Sequence, residues 1–554
     1  MKKMIREKTR AALQVIAGSN ELPSLEAVVV EEPRDPSHGH LATNAALALA
    51  KALGHKPREL ADKIIGAISD PEGYISATTV AGPGFVNFKL SNKWWAKALS
   101  DIIAAGPDYG RKPLTGRKVQ VEYVSANPTG PLHVGHGRGA AIGDALARIL
   151  AFTGDEVVRE YYINDAGRQM RILGASVLAR AKELQGGTEE FPADHYRGEY
   201  IYDLAKEVLA DKTLTPPNFW ALPDEEKIPF LSQFAGQRIL NGIKKDLEDF
   251  RAIQEVFFSE TSLYEKGLVF KALSYLKETG RSFDKDGALW FNSAPLGDDK
   301  DRVLIKSDGE KTYLAADIAY HQDKFARGFD LVVDVWGADH HGYIPRMKAA
   351  VAALGYKPDQ LGVVLVQLVS LLRGGQLVSM STRAGEFVTL REVVAEVGVD
   401  AARFLFLTRG HESPLDFDLE VAKAQSRDNP VYYVQYVCAR IYSLIQKSGF
   451  EPLKASLTKD GAPLLVEPEE VDLIRHLQTF PETVETAARR LEPHLLTAYL
   501  TGAARLFHQY YGRHRLIAEE NEPLSRARIA LAAAIRQVTV IGLNLLGVAA
   551  PERM

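Results

Sequence analysis

Apolar and polar positions change period several times along the chain, and the changes divide it into segments. Near the N-terminus LATNAALALAKALG and PRELADKIIGAI place apolar residues at helical spacing, and TTVAGPGFVNFKL alternates like a strand around a Pro-Gly turn. GPDYGRKPLTG, residues 106–116, is rich in turn formers and predicts a linker. VQVEYVSA reads as a strand, followed by a Gly/Pro turn, the helical GRGAAIGDALARILAFTG and the strand EVVREYYIND. Strand, glycine-rich turn, helix, strand is the opening of a parallel α/β sheet. From about 170 to 300 the pattern becomes helical and charged, which predicts an insertion into the sheet domain. Strand-like alternation returns in RVLIKSDGEKTYLAADIAYHQDKF, FDLVVDVWGADHHGYIPRMKAAVAALG and LGVVLVQLVSLLRGG, the second half of a split nucleotide-binding fold. Residues 426–554 carry helical spacing almost throughout.

This predicts an α/β protein built on a split Rossmann-type parallel sheet. An α+β domain over 1–115 precedes the sheet domain at 116–375; a connecting segment at 376–425 leads to an all-α domain over 426–554. Composition adds exclusions. The 554 residues are 46% hydrophobic and 25% charged, ordinary material for several cores. Cys438 is the only cysteine, which excludes a disulfide framework and a cysteine zinc site and suits a reducing compartment. The charged helical start lacks the apolar core of a signal peptide, and no stretch was expected to reach the roughly 20 apolar residues of a membrane span. The expectation is a soluble cytoplasmic protein without a membrane partner. A net charge of −4 speaks against bulk electrostatic binding of nucleic acid but leaves room for a local patch.

His133 and His136 fall in a Pro/Gly turn just before a helix. A metal site, a buried structural pair and a phosphate grip all fit the bare spacing. Zinc needs further ligands, and this H-x-x-H lacks the helical i,i+4 geometry of a metalloprotease pair. A phosphate grip suits the context best. A helix N-terminus is electropositive, and Gly135, Gly137 and Gly139 admit a ligand close to the backbone. H-x-G-H also fits small nucleotidyltransferases. The DHH string at 339–341 occurs in metal-binding phosphoesterases too, which need further aspartate clusters that this sequence lacks.

His133–Val134–Gly135–His136 resembles the "HIGH" signature of class I aminoacyl-tRNA synthetases, and Val378–Ser379–Met380–Ser381–Thr382–Arg383 falls where that class has its "KMSKS" loop. The longer strings VEYVSANPTGPLHVGH, EYYINDAGRQM, YLAADIAYHQDKF, VWGADHHGYIPRM, MSTRAGEFVTL, DNPVYYVQYV and LLGVAAPERM run in the order of the arginyl-tRNA synthetase family. The resemblance implies ATP-driven activation of L-arginine, then transfer to the 2′-hydroxyl of the terminal adenosine of tRNA(Arg), with Mg2+ and with a monomer as the family's usual state. It also implies that the adenylate forms only once tRNA has bound.

By that resemblance His133, His136, Ser381 and Arg383 are catalytic, and Pro131, His133, Gly135, His136, Gly337, Asp339 and Met380 hold ATP. Glu122, Ser125, Asn127, His136, Glu260, Tyr313, Asp317 and His340 hold arginine. Guanidinium presents a planar fork of donors, so carboxylates suit it, and Tyr313 and Asp317 at i,i+4 share a face if their segment is helical. The N-terminal domain is implied to meet the tRNA elbow through Phe85 and Asn87. The helical domain is implied to bind the anticodon, with Tyr433, Tyr510 and the terminal Met554 as tRNA contacts. Both signature lysines are absent: Ser379 and Thr382 take their places. Gly130 occupies a position where some relatives carry a compensating lysine, so Arg383 is the cation left in the loop.

Overall fold

Five parallel strands lie at the centre of the computed structural model, which describes residues 1–19, 21–378, 388–518 and 520–554. They are β1 (Lys118–Glu122), β2 (Glu156–Ile163), β3 (Val256–Ser259), β4 (Leu331–Gly337) and β5 (Leu361–Val366), in the order β5-β4-β1-β2-β3. All neighbouring pairs are parallel. The order reverses between β4 and β1, and such a switch leaves a crevice at the C-terminal strand ends where ligands bind. Val119, Gln120 and Val121 are all fully buried, as expected of a strand covered on both faces.

Helix α1 (Val134–Phe152) carries the chain from β1 to β2. It packs so closely on the sheet that a Cβ at Gly143 would lie 2.2 Å from Tyr123 Cγ. That contact requires glycine. Between β1 and α1 the backbone turns through Val124 at φ 73° and Ser125 at φ 40°. Left-handed backbone is unusual for a β-branched residue, and such geometry collects where a loop must be aimed.

The span from 170 to 300 is not helical throughout. Helices Arg168–Leu184, Glu199–Ala210 and Asp224–Asp249 fill its first part, but β3 then adds an edge to the main sheet. An antiparallel sheet of Ser282–Lys285, Ala288–Phe291 and Arg302–Ile305 follows. Four-residue strands are too short to display a period. The Asp286–Gly287 turn, with φ of 54° and 74°, was the readable hairpin signal. Helix α2 (Tyr313–Ala326) then leads into β4.

At the N-terminus a four-stranded antiparallel sheet packs with helices Lys2–Ala17, Pro57–Ala67 and Asn92–Ala105. LATNAALAL splits into the strand Leu41–Thr43 and the helix Ala45–Leu49. The C-terminal part is a helical bundle, from Pro430–Ser448 to Glu522–Leu545. Glu522–Leu545 is long and apolar enough to cross a membrane, against the sequence expectation, yet two thirds of its apolar window is buried in the protein. Arg403 ties the parts together. Fully buried, it donates to Asp144 Oδ2 in α1 at 2.5 Å, Phe250 O at 2.9 Å and Leu546 O at 3.0 Å.

Candidate active site

His133 is the N-cap of α1, and its Nδ1 accepts the Gly135 N–H at 3.1 Å. The His133 N–H in turn donates to His136 Nδ1 at 3.2 Å, closing a reciprocal cap. The two rings stack with centroids 3.7 Å apart. Since each Nδ1 accepts, each neutral ring carries its proton on Nε2. Burial pushes both imidazoles toward the neutral form, and His136 goes down to about 3, with the neighbouring His133 adding to the effect. The pair thus offers N–H donors at the electropositive end of a helix. Asn127, Pro131, His133 and His136 share a cavity of about 540 Å3 with Tyr196 and Tyr200 from the helical insertion. That volume suits a small-molecule ligand.

Beyond this cavity, a row of acids crosses the sheet. Glu122 at the end of β1 is the register partner of Asp334 in β4 and of Glu160 in β2. Three adjacent buried carboxylates repel one another strongly unless compensated. α2 supplies the compensation. Lys324 Nζ, fully buried, donates to Glu122 Oε2 at 2.6 Å and Asp334 Oδ1 at 2.8 Å. Arg327 forms a bidentate pair with Glu160 at 2.6 and 2.9 Å, and the Tyr320 hydroxyl donates to the same carboxylate at 2.6 Å. His321 joins Asp334 at 2.9 Å. Sequence reasoning singled out Glu122 but missed Glu160, Asp334, Tyr320, His321, Lys324 and Arg327. The readable signal was a lone Asp in the apolar run VVDVW and a Lys at i+7 from Asp317.

Two further carboxyl groups lie at the same edge. Asp317, one turn into α2, accepts a short hydrogen bond from the Tyr343 hydroxyl, and burial raises its pKa. Glu260, immediately after β3, has the Asn164 side-chain amide 2.9 Å from its Oε2, with the amide turned to donate, and Tyr162 beside it. Burial pushes the Glu260 carboxyl up to about 7, with help from the charges of Asp317 and Asp165. Ser125 donates to Glu122 Oε1 at 2.8 Å and accepts the Tyr162 N–H, so it orients the acid. Tyr313 shares the helix face of Asp317 but is 72% exposed. Asn127 donates to Gln169 Oε1 at 2.6 Å.

Gly337 ends β4, and exposed Asp339 and His340 occupy the turn beyond it. Met380, Ser381 and Arg383, with Ser379 and Thr382, lie outside the described residues. Among the candidate tRNA contacts, Phe85 is half-buried at a strand start, Met554 is exposed, and the half-buried Tyr433 ring lies 4.5 Å from that of His508. Asn87 is only 3% exposed within its strand, and Tyr510 is fully buried with its hydroxyl on Glu470 Oε1 at 3.1 Å. A polar aromatic or amide in sequence does not reveal which side of its element faces the core, and here both side chains face inward. Beside Tyr433, Arg440, which sequence reasoning did not single out, stacks on Tyr436 and Tyr511 to form an aromatic and cationic surface.

Comparison with known proteins covers all three parts. Residues 2–90 match the family model for the arginyl tRNA synthetase N-terminal domain. Residues 98–412 match that for the class I (R) tRNA synthetase catalytic domain, and residues 434–554 that for the DALR anticodon binding domain. An arginine–tRNA ligase of Nitratidesulfovibrio vulgaris is 51% identical over 552 residues, covering 99% of this chain and 100% of the relative. Among solved structures, a Campylobacter jejuni chain assigned as an arginyl-tRNA synthetase superposes with a TM-score of 0.76 at 35% identity, covering 84% of this chain and all of that one. The Thermus thermophilus arginyl-tRNA synthetase has the same fold, with a TM-score of 0.74 at 24% identity and full coverage of both chains.

Proposed function

The chain belongs to the arginyl-tRNA synthetase family, and from that premise we propose which of its residues carry each step of the family's reaction. It is an ATP-dependent, AMP-forming ligase that activates L-arginine and transfers it to tRNA. An arginine carboxylate oxygen attacks the α-phosphorus of ATP, pyrophosphate departs, and the 2′-hydroxyl of the terminal adenosine then displaces AMP from the carbonyl.

The observation that carries the assignment is the neutral His133/His136 pair capping α1. On this reading the pair faces the nucleotide, and Asp317 and Glu260 form the far side of the same crevice. The Nε2–H groups are donors for phosphate oxygens as charge develops, and Pro131 and Gly135 leave room for the nucleotide. Asp317 and Glu260 take the guanidinium, while Ser125, Asn127 and Glu122 stand nearer the arginine α-amino and carboxylate groups. The turn of Gly337, Asp339 and His340 borders the adenosine, with Tyr313 closing over the arginine. Mg2+ would arrive with the triphosphate: among the described residues no three His, Cys, Asp or Glu side chains converge on one point, and Mg2+ favours phosphate and water ligands. Met380, Ser381 and Arg383 remain proposals from sequence for the nucleotide and its leaving pyrophosphate.

Phe85, Tyr433 and Met554 are kept as candidate contacts of tRNA(Arg), and the chain is proposed to act as a cytoplasmic monomer. Charging total tRNA with each labelled amino acid in turn tests the assignment. Arginine alone should be attached, and charging with another amino acid instead would overturn it.

A further inference from the structure

The cavity at the histidine pair is short of positive charge. Burial holds the His133 and His136 imidazoles neutral, so they offer N–H donors to a triphosphate but no charge. The signature loop has Ser379 and Thr382 where lysines would stand. The segment between helices Arg168–Leu184 and Glu199–Ala210 supplies a cation instead. Among the described residues Arg197 is the one Lys or Arg that lines this cavity, and its side chain is exposed. It makes no hydrogen bond and no ion pair among those residues. The nearby acids are engaged elsewhere. Asp194, which also lines the cavity, has His195 Nδ1 at 3.1 Å, and Glu199 has Lys206 Nζ at 3.8 Å.

The backbone around Arg197 is anchored on both sides. The Tyr196 N–H donates to Oγ of the fully buried Ser176 at 3.0 Å. The Tyr200 hydroxyl donates to Thr129 O at 2.8 Å, in the turn that leads to His133. Gly198 lies between the two anchors, and a Cβ there would stand 2.4 Å from Tyr200 Cε1. That approach requires glycine. A Cβ on Gly130 would stand 3.2 Å from the same hydroxyl, which crowds any longer side chain at 130. One anchor thus ties the segment to the core of the insertion and the other to the histidine turn, with an unpaired guanidinium between them.

We propose that Arg197 is a catalytic residue that binds the β- and γ-phosphates of ATP and the pyrophosphate that leaves, in place of the absent signature lysines. The proposal rests on the nucleotide lying at the histidine pair. As an arginine carboxylate oxygen bonds to the α-phosphorus, the bond from that phosphorus to the α,β-bridging oxygen breaks. Its electron pair departs on pyrophosphate, and no proton needs to move. Negative charge therefore grows on the leaving group, where a neutral donor pair cannot balance it. A guanidinium stays charged throughout the physiological range, and its planar fork matches two phosphate oxygens. A fixed cation at that place stabilises the charge as it develops.

The test is ATP–pyrophosphate exchange by the full-length enzyme with tRNA(Arg) present. Arg197→Gln should slow exchange about tenfold or more, the loss expected for one charge-assisted contact, and should raise the KM for pyrophosphate. Arg197→Lys keeps the charge but not the fork, so it should recover part of the rate. Arginyl-sulfamoyl adenosine, an adenylate mimic without the β- and γ-phosphates, should bind Arg197→Gln as tightly as wild type. Weakened binding of that mimic would make the segment structural and overturn the proposal. So would an exchange rate and a pyrophosphate KM equal to wild type. A rise in the KM for tRNA alone would also overturn it, placing the guanidinium on the tRNA backbone. These outcomes bear on Arg197 only; the placement of the nucleotide would itself fall if His136→Ala left exchange unchanged.

Discussion

Lys324 places its Nζ 2.6 Å from Glu122 Oε2, and the pair is sealed inside the sheet edge that carries the catalytic crevice. The lysine is also 2.8 Å from Asp334, so one cation holds two carboxylates on neighbouring strands. Removing one member of a buried pair leaves an uncompensated charge, which costs about 3–5 kcal/mol. Lys324→Met should therefore lower stability by that order in urea unfolding. Adding Glu122→Gln to it should restore part of the loss by removing one of the stranded charges. Simple additivity of the two substitutions would show that the contact carries no coupling.

The capped histidine pair predicts a kinetic effect without a binding effect. His136→Ala should lower the rate of ATP–pyrophosphate exchange by about 100-fold, the loss typical of one transition-state donor, while the KM for tRNA stays near wild type. An equal fall in exchange and in tRNA affinity, with a lowered Tm, would make the ring structural.

The same ring gives a pH dependence of stability. His136 is held neutral in the fold, down to about 3, while in the unfolded chain it takes up a proton near pH 6.5. The unfolded state therefore binds more protons between those values, and its share of stability is lost as pH falls below about 6.5. Between pH 7.5 and 5 the loss from one such group is about 2 kcal/mol. His136→Gln should show a urea midpoint correspondingly less sensitive to acid, and parallel curves for the two proteins would refute this.

Much of this site was legible because its chemistry is local. His133 and His136 lie three apart at a helix start, so one turn of backbone suffices to bring them together. Tyr313 and Asp317 share a face for the same reason. The acid row could not be read that way, because Glu122, Glu160 and Asp334 become neighbours only through the registers of β4, β1 and β2. Lys324 likewise meets them only when α2 packs on the sheet. β3 was hidden by its length, and the burial of Asn87 and Tyr510 depends on which way each element is turned.

Tyr510 illustrates the consequence. Its hydroxyl and Arg528 Nε both bind the buried Glu470, at 3.1 and 2.9 Å. Tyr510→Phe should cost about 1 kcal/mol of stability and leave the KM for tRNA unchanged, whereas Tyr433→Ala, at the half-buried aromatic surface, should raise that KM. A tRNA defect in Tyr510→Phe at full stability would return that residue to the interface.

Glu260 would make the proposed arginine site sensitive to pH near neutrality. Burial, reinforced by the charges of Asp317 and Asp165, raises the Glu260 carboxyl to about 7. A guanidinium favours the ionised carboxylate and gains little from the protonated one. At pH 6 most of the free enzyme carries the protonated form, so arginine binding must first displace a proton. The kcat/KM for arginine should therefore rise by up to about tenfold per pH unit below 7 and level off above it. Glu260→Gln removes the titrating group, so its profile should lie lower and flat through this range. Asp317→Asn should raise the KM for arginine roughly 10- to 150-fold, the loss of a charge-assisted hydrogen bond, and should leave the KM for ATP near wild type. The measurement is kcat/KM for arginine and for ATP from pH 6 to 8.5 in the three proteins. A flat wild-type profile coinciding with that of Glu260→Gln would remove Glu260 from the guanidinium pocket, and an unchanged arginine KM in Asp317→Asn would remove Asp317.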